Sequence, residues 1–350
     1  MTLSVSGDSI TFPDLSTLQT APSGFGFKNR IINGDMRIDQ RNAGASVTQT
    51  TTTTYTLDRL AAQGTVASKY TVQQNAGSVT PPVGFTKYLG VTSLSAYAIG
   101  AGDAFTVQQS IEGFNVADLA WGTASAAQIT LSFLIRSSLT GTFGGALRNG
   151  GLNRSYPFTY TVSVANTWTQ ISVTISGDTT GTWATDNSTG INLVFGLGVG
   201  STFSGTAGTW AATNYNSATG ATSVVGTSGA TFYITGVQLE KGSTATAFDY
   251  RDYGRELIMC QRYYEVSYPR TSDGVDFASW MFTGNLNNQY KWSFSVVKRA
   301  APTFALANGV SWLNSTPSAS TSTSAAWLNS SAFFYLSGVS GFSASASAEL

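Results

Sequence analysis

Hydrophobic residues alternate with polar ones along most of this chain, and this alternation constrains the fold more than any other feature of the sequence. Between residues 28 and 250, short runs place apolar side chains at every second position, and clusters of Gly, Ser, Thr and Asn separate the runs. The clearest runs are Ile129, Leu131, Phe133 and Ile135; Tyr160, Val162 and Val164; Ile171, Val173 and Ile175; Leu193, Phe195, Leu197 and Val199; and Phe232 and Ile234. A period of two is typical of half-buried antiparallel strands, and many short strands at this spacing predict a sandwich or jelly roll.

One stretch has helical spacing instead. Tyr253, Leu257, Cys260 and Tyr264 fall at i, i+4, i+7 and i+11, which predicts a helix from Tyr253 to Tyr264 with these residues on a single stripe. Cys260 then lies on the apolar face as a small buried hydrophobe. After Pro269 the alternation resumes and predicts a second β unit.

These patterns divide the chain into four parts. We predict an N-terminal attachment arm at 1–27, a jelly-roll domain at 28–250, a helical connector at 251–268 and a distal C-terminal β domain at 269–350. The arm has few apolar residues, and such an arm gains structure by adding to the sheet edge of another chain. The predicted fold class is all-β: an antiparallel jelly-roll sandwich followed by one short helix and a second, smaller β-sandwich.

Charged residues are scarce, which narrows the classes of function. Only 10% of residues are charged, against roughly 25% in an average soluble domain, and 18 basic residues balance 18 acidic ones. Because the net charge is zero, no overall electrostatic field attracts nucleic acid or an anionic membrane. We therefore expect no nucleic-acid partner and no membrane insertion. An uncharged polar surface suits contact with a neutral polyhydroxyl ligand or packing between identical subunits.

The chain also lacks residues on which many catalytic sites depend. It has no histidine and a single cysteine, so Ser-His-Asp and Cys-His triads, His-ligated zinc and an intramolecular disulfide are excluded. Asp178 and Asp186 lie in Gly/Thr/Asn-rich turns, where Asp bonds nearby backbone amides. Turn formation is therefore favoured over the acid–base pair of a glycosidase. We expect a protein that is not an enzyme and needs no cofactor.

A metal site has one candidate pair of ligands. Asp35, in an Asn-Gly-Asp turn, and Asp249 stand near the two ends of the predicted jelly roll. Calcium takes six to eight oxygens, and these carboxylates supply too few. We therefore expect a turn with a salt bridge from Asp35 to Arg37 or Arg59 and no metal, with a structural calcium as the alternative.

Sugar contact would require exposed aromatic rings, because the C–H face of a sugar stacks on Trp or Tyr while amides bond its hydroxyls. Two aromatic residues lie in a long Gly/Ala/Thr/Asn stretch, where exposure is expected. Two more lie in a charge-free segment near residue 320, each within the tetrapeptide Trp-Leu-Asn-Ser. The candidate ligand-binding residues are Trp312, Asn314, Trp327, Asn329, Trp210 and Tyr215. Packing or a trimer contact is the alternative role for their aromatic rings.

Several segments resemble bacteriophage tail-fibre and related virion proteins. The sequence NRIINGDMRIDQR at 29–41, followed by YTLDR at 55–59, resembles the opening strand of a carbohydrate-binding-module-like jelly roll. Residues 232–265 are similar to the closing strand and exit helix of that arrangement, and KRAAPT at 298–303 is similar to part of the β domain that follows. The segment GDSITFPDLSTLQT at 7–20 resembles the N-terminal arms of tail fibres.

The resemblance implies a jelly roll, a distal domain, a homotrimer and attachment through the N-terminal arm to other phage tail or baseplate proteins. No sugar-binding motif of these proteins matches this sequence residue by residue, so the resemblance assigns no sugar-binding residue. The start of the chain lacks the basic and apolar regions of a signal peptide, so we expect assembly in the host cytoplasm and release by lysis. We predict a structural virion protein of the phage tail, a tail fibre that binds a host surface polysaccharide. The alternatives are a ligand-free structural connector or capsid decoration protein, and a polysaccharide depolymerase.

Overall fold

A computed structural model describes residues 28–266, 288–307, 318–330 and 343–350, together with three short strands before residue 28. The strands are β1 (Ser4–Ser6), β2 (Ser9–Thr11), β3 (Thr17–Leu18), β4 (Val47–Thr48), β5 (Thr54–Leu57), β6 (Leu60–Gly64), β7 (Tyr70–Gln74), β8 (Leu89–Ser93), β9 (Ala104–Glu112), β10 (Ile129–Ser137), β11 (Gly141–Asn149), β12 (Ser155–Val162), β13 (Thr169–Ile175), β14 (Thr189–Val199), β15 (Ser204–Gly205), β16 (Ser217–Ala218), β17 (Thr231–Lys241), β18 (Tyr264–Val266), β19 (Asn288–Ser293), β20 (Thr303–Ala307), β21 (Ser318–Thr321), β22 (Ala325–Ser330) and β23 (Ser343–Ser347). The helices are α1 (Tyr253–Gln261) and three short 3-10 segments, Ala76–Ser78, Gly113–Asn115 and Ala117–Leu119.

Two six-stranded antiparallel sheets form a sandwich. The first sheet has the order β13-β10-β17-β8-β7-β4, and the second has the order β12-β11-β14-β9-β6-β5. Their inner faces meet in one core, where the Phe133 ring of the first sheet lies 5.2 Å from the Phe195 ring of the second. The sandwich predicted from the alternating runs is thus confirmed.

Most of the predicted inner-face residues are buried, a few are half-buried, and one is exposed. Ile129, Leu131, Phe133 and Ile135 are fully buried, as alternation requires of a strand that packs one face on a core. Val164, by contrast, is exposed, because β12 ends at Val162 and the chain leaves the sheet before it. The assignment of Val164 to an apolar strand face is therefore wrong.

The segments at the two ends of the chain form small sheets of their own. In the arm, β2 pairs with β1 and with β3, so these three strands form a small antiparallel meander. At the other end, β18-β23-β20 and β19-β22-β21 form two three-stranded antiparallel sheets. We call these two sheets the C-terminal β unit.

The helix is shorter than predicted. Asp252 caps its N-terminus by accepting a hydrogen bond from the Arg255 amide at 2.9 Å, and the helix ends at Gln261. Tyr264 lies instead in β18, which pairs with β23, so the proposed connector at 251–268 also contains the first strand of the C-terminal β unit. No helix in the described part of the chain has the length and apolar character of a membrane span.

The buried face of α1 is also rotated relative to the predicted stripe. Cys260 is fully buried, as predicted, and burial raises the pKa of its thiol. Its buried companion within the helix is Glu256, whereas Tyr253 is 54% exposed and Leu257 is half-buried. The predicted stripe is therefore wrong at Tyr253, and the Tyr253–Leu257 edge of the helix remains open.

Candidate functional site

The predicted sugar-contact residues do not form one site in the described part of the chain. Trp312 and Asn314 lie outside the described residues. Trp327 and Asn329 lie on β22, the middle strand of its sheet, where their backbones pair with Ser320 and Ser318 of β21. The side chains of both residues lie outside the described part of the structure.

Trp210 packs into the sandwich instead of standing exposed in a loop. Its ring lies edge-on to Trp121 at 5.3 Å and to Trp183 at 5.4 Å, and these two rings are 4.7 Å apart. The Trp210 indole nitrogen donates a hydrogen bond to the Ser176 carbonyl at 2.9 Å. Because so large an apolar ring gains more from burial than the loop gains from leaving it free, Trp210 closes one end of the core.

Tyr215 belongs to a segment at 200–226 that covers the outer face of the second sheet. Its ring is half-buried and packs against Gly205, where any side chain would collide with it. Its backbone amide donates to the Ser155 hydroxyl at 3.2 Å. Trp210 and Tyr215 are thus half-buried rather than fully exposed, and their contacts match the packing role that was the alternative for their rings.

Arg148, on the outer face of the second sheet, holds the 200–226 segment in place by hydrogen bonds. Its guanidinium donates to Asn214 at 2.9 Å, to Asn216, to Gln108 at 2.9 Å and to Asn192 at 3.4 Å, so only amide oxygens receive its hydrogen bonds among the described residues. Burial lowers the pKa of Arg148 to about 10, and the group is still charged at neutral pH. Around Arg148, the outer face of the second sheet is therefore polar but covered by the 200–226 segment.

The carboxylates of Asp178 and Asp186, the pair considered above as catalytic groups, both accept hydrogen bonds from neighbouring residues. Asp178 is buried and accepts hydrogen bonds from Arg154 at 2.5 and 2.8 Å and from the Trp183 indole at 3.2 Å. Burial opposes its ionisation, but Arg154 and Thr180 outweigh that effect, and the pKa of Asp178 is lowered. Asp186 accepts a hydrogen bond from the Ser188 amide at 2.9 Å, as expected of a turn.

Asp35 and Asp249 do come together, in a crevice too tight to admit a water molecule. Asp35 forms the predicted ion pair with Arg37, and Asp249 lies 3.7 Å from Arg251. Across the described residues, no group of three or more Asp, Glu, Cys or His side chains is arranged to hold a metal ion. Two guanidinium groups thus occupy the position where a calcium ion was considered.

An open groove of about 490 Å³ runs between α1 and the loop that precedes the sandwich. This volume lies within the range of small-molecule sites, roughly 300–1,000 Å³. The loop, the end of β7, the segment that leads into β8, one edge of α1 and the last residue of β18 form its walls. The lining residues are Arg37, Ile38, Asp39, Gln40, Ala43, Gln74, Lys87, Tyr253, Leu257, Gln261 and Val266.

The helix supplies the apolar wall of this groove. Tyr253, Leu257 and Gln261 follow each other at intervals of four residues, which places them along one edge of α1. The helix is held firmly against the loop, because the buried Glu256 carboxylate accepts a hydrogen bond from the Asn33 amide and lies 3.2 Å from Arg251. The exposed Tyr253 ring therefore stands on a fixed support.

The loop and the first sheet supply the polar wall. Asp39 accepts hydrogen bonds from the Asn42 and Gly44 amides at 2.8 and 2.7 Å, which fixes the turn of the loop. Gln74 donates to the Met36 carbonyl at 2.7 Å, so its own amide oxygen is left as an acceptor among the described residues. Lys87 is half-buried beside them. Donors and acceptors thus border an exposed aromatic ring.

Sequence reasoning missed this groove because the helix wall lies more than 160 residues along the chain from every residue of the polar wall. The one local feature that could have identified it is Tyr253, an aromatic residue at the first helical position, between the charged residues Asp252 and Arg255. A core-facing position would not be expected there.

No protein-family model and no curated protein sequence matches this chain. Solved structures with a similar fold are distant. A putative sugar binding protein from Bacteroides thetaiotaomicron is 12% identical with a TM-score of 0.33, over 61% of this chain and 100% of that one. The family 11 carbohydrate-binding module from Clostridium thermocellum, solved with a β-1,3-1,4-mixed-linked tetrasaccharide, is 11% identical with a TM-score of 0.28, over 57% of this chain and 98% of the module.

A third similar structure is a domain of tailspike protein 4 of bacteriophage CBA120. It is 13% identical with a TM-score of 0.32. The match covers 61% of this chain but only 21% of the tailspike chain, so the protein spans about a fifth of that length. These likenesses concern β-sandwich architecture at low identity.

Proposed function

We propose that this protein is a glycan-binding component of a bacteriophage tail, a tail fibre that contacts a host surface polysaccharide through the groove beside α1. The observation that carries the proposal is the half-exposed Tyr253 ring, fixed on a capped helix and bordered by amide and charged side chains. A sugar has an apolar C–H face and a polar edge. A ring with hydrogen-bonding groups at its border matches both.

The virion assignment is supported by where the phage-like segments lie. Arg37 to Gln40 belong to the segment at 29–41, and Tyr253 to Gln261 belong to the segment at 232–265. Two of the segments that resemble virion proteins, 29–41 and 232–265, therefore supply most of the groove lining.

The proposal extends to how the protein assembles. Under it, the protein forms a homotrimer in the tail, is assembled in the host cytoplasm, and attaches through its N-terminal arm to other tail or baseplate proteins. Long stretches without ionised residues favour burial against symmetry mates. Light scattering tests the oligomer, and a mass of 36.7 kDa, that of one chain, would overturn it.

A glycan array probed with the intact protein tests the binding function. We expect retention of at least one polysaccharide or oligosaccharide from a bacterial surface. Failure to bind any glycan, with the protein located inside the virion by immunogold labelling, would favour a structural connector or capsid decoration protein. Release of reducing ends from a bound polysaccharide would instead indicate a depolymerase.

A further inference from the structure

We infer that the groove beside α1 selects a neutral oligosaccharide of a few sugar units, with one ring stacked on Tyr253. This inference rests on the proposed glycan-binding function and adds the ligand class. Three properties of the groove support it: the balance of its charges, its length along the helix and the placement of Tyr253, the one exposed aromatic residue that lines it among the described residues.

Once the Arg37–Asp35 ion pair is taken into account, the positive and negative charges at the groove are balanced. Arg37 and Lys87 are the cations of the lining, and Asp39 is its anion. The Arg37 guanidinium is already ion-paired with Asp35 and donates to the Arg251 carbonyl at 2.8 Å. Lys87 and Asp39 are then left with opposite charges, so a carboxylate or phosphate on the ligand would gain from one and be repelled by the other. A neutral ligand with many hydroxyls can use both, because Lys87 donates hydrogen bonds and carboxylate oxygens accept them.

The length of the groove sets the size of the ligand. Tyr253 and Gln261 are eight residues apart on α1, which at 1.5 Å per residue separates them by about 12 Å along the helix axis. One pyranose ring cannot stack on Tyr253 and reach Gln261 at the same time. The groove therefore favours a ligand of two or three sugar units and gives little further affinity to longer chains.

Tyr253 is the residue on which this binding mode depends. It is 54% exposed, the Asp252 cap fixes its backbone at the start of the helix, and the Arg37 guanidinium lies 6.0 Å from the centroid of its ring. An aromatic platform that is rigid before binding loses little conformational entropy when a ligand stacks on it. Leu257, one turn further along the helix, extends the apolar wall.

The test is isothermal titration calorimetry of the intact protein with two series of probes. One series contains neutral gluco-, manno- and galacto-oligosaccharides of increasing length, and the other contains oligogalacturonates of the same lengths. We expect a neutral series to bind, with an affinity that stops rising after two or three units. We also expect the affinity to be nearly constant between about 0.01 and 1 M NaCl, a range that shortens the Debye length from roughly 30 to 3 Å.

Variants assign the binding to this groove. Tyr253→Ala should weaken binding of the neutral ligand about thirtyfold or more, the lower limit for a binding hot spot, whereas Tyr253→Phe should keep most of the affinity. Ile258→Ala is the matched control, because Ile258 is 53% exposed on the same helix and does not line the groove. Gln74→Ala probes the opposite wall and should weaken binding independently of the helix.

Each outcome has a separate meaning. If the protein binds glycans but neither Tyr253→Ala nor Gln74→Ala changes the affinity, the groove inference is overturned and glycan binding stands. If oligogalacturonates bind more tightly and lose affinity steeply with salt, the neutral class is wrong. If neither the array nor either probe series reveals binding, the proposed function itself fails.

Discussion

Glu349 is the residue whose replacement tests most directly how the C-terminal β unit is joined to the sandwich. Its side chain is 6% exposed and lies between two guanidinium groups, with Oε1 2.7 Å from Arg41 Nη2 and Oε2 bonded to Arg59. The guanidinium carbons lie 3.7 Å from the Tyr264 ring centroid for Arg41 and 3.5 Å from the Tyr263 ring centroid for Arg59. One carboxylate therefore pairs with two largely buried cations that are already stacked on aromatic rings.

Glu349→Gln keeps the shape of the side chain and removes its charge. Removing one partner of a buried ion pair costs about 3–5 kcal/mol, because the other charge is left uncompensated. Asp58 still acts on Arg41 through space, and glutamine keeps one acceptor oxygen, so we expect a loss at the lower end, about 3 kcal/mol. That is a large fraction of the roughly 5–15 kcal/mol that stabilises a typical domain.

Urea unfolding followed by tryptophan fluorescence measures this loss. The Glu349→Gln, Arg59→Met double variant should recover part of it, because no unpaired charge then remains at that position. Lys241→Met is the control: Lys241 lies 3.5 Å from Asp118, both side chains are about half exposed, and such a pair contributes at most about 1 kcal/mol. A loss below about 1 kcal/mol in Glu349→Gln, or strictly additive losses in the double variant, would refute this account of the junction.

Three further predictions concern other parts of the molecule. Burial raises the pKa of Asp58 from 3.8 to about 6 in the fold, with Arg41 and Gln40 opposing the shift. Between pH 3.8 and about 6 the folded state therefore binds more protons than the unfolded state. The unfolding free energy then falls by up to about 3 kcal/mol as pH rises through that window. Urea unfolding at several pH values should show this slope in the wild type and a flatter slope in Asp58→Asn. Arg148→Met leaves buried amide oxygens without a donor, at about 1–3 kcal/mol, and should speed hydrogen exchange in the 200–226 segment; unchanged exchange there would mean that other contacts hold the cover. Replacing Trp312 or Trp327 with Ala should weaken phage adsorption and leave the trimer intact if these residues face the host, whereas loss of the trimer in gel filtration would place them at a subunit contact.

The sandwich could be predicted because its strands are defined by local alternation. Phe133, Phe195 and Phe232 are each marked as core residues by neighbours two positions away, and the structure buries all three. The helix end could not be predicted in the same way. Tyr263 leaves the helix to donate a hydrogen bond to Glu112 at 2.7 Å, and Tyr264 pairs with Ser347. Both partners lie more than 80 residues away, so no local pattern contains them.

The site was harder to predict than the fold for a related reason. Composition pointed to aromatic residues in polar loops, but Trp210 gains most by joining Trp121 and Trp183 at the end of the core. Tyr253 was assigned to the core because it fits a helical stripe with Cys260. Spacing alone fixes which residues share an edge of a helix, whereas the packing of the neighbouring loop decides how far that edge is covered.

The scarcity of charge in this chain gives its ion pairs an unusual distribution. Of the ten salt bridges found among the described residues, seven lie at or beside the junction of the groove loop, α1 and the C-terminal β unit; they are Asp35–Arg37, Arg41–Glu349, Arg59–Glu349, Asp249–Arg251, Arg251–Glu256, Glu112–Arg262 and Glu265–Lys298. Buried pairs add little net stability over a well-packed apolar contact, but any other docking would leave several charges unpaired at high cost. We therefore attribute to them the choice of a single docking geometry. The groove borders this junction, with loop 37–43 on one side and Val266 of β18 on the other, so the same ion pairs that orient the C-terminal β unit also fix the distance between the walls that would hold a sugar.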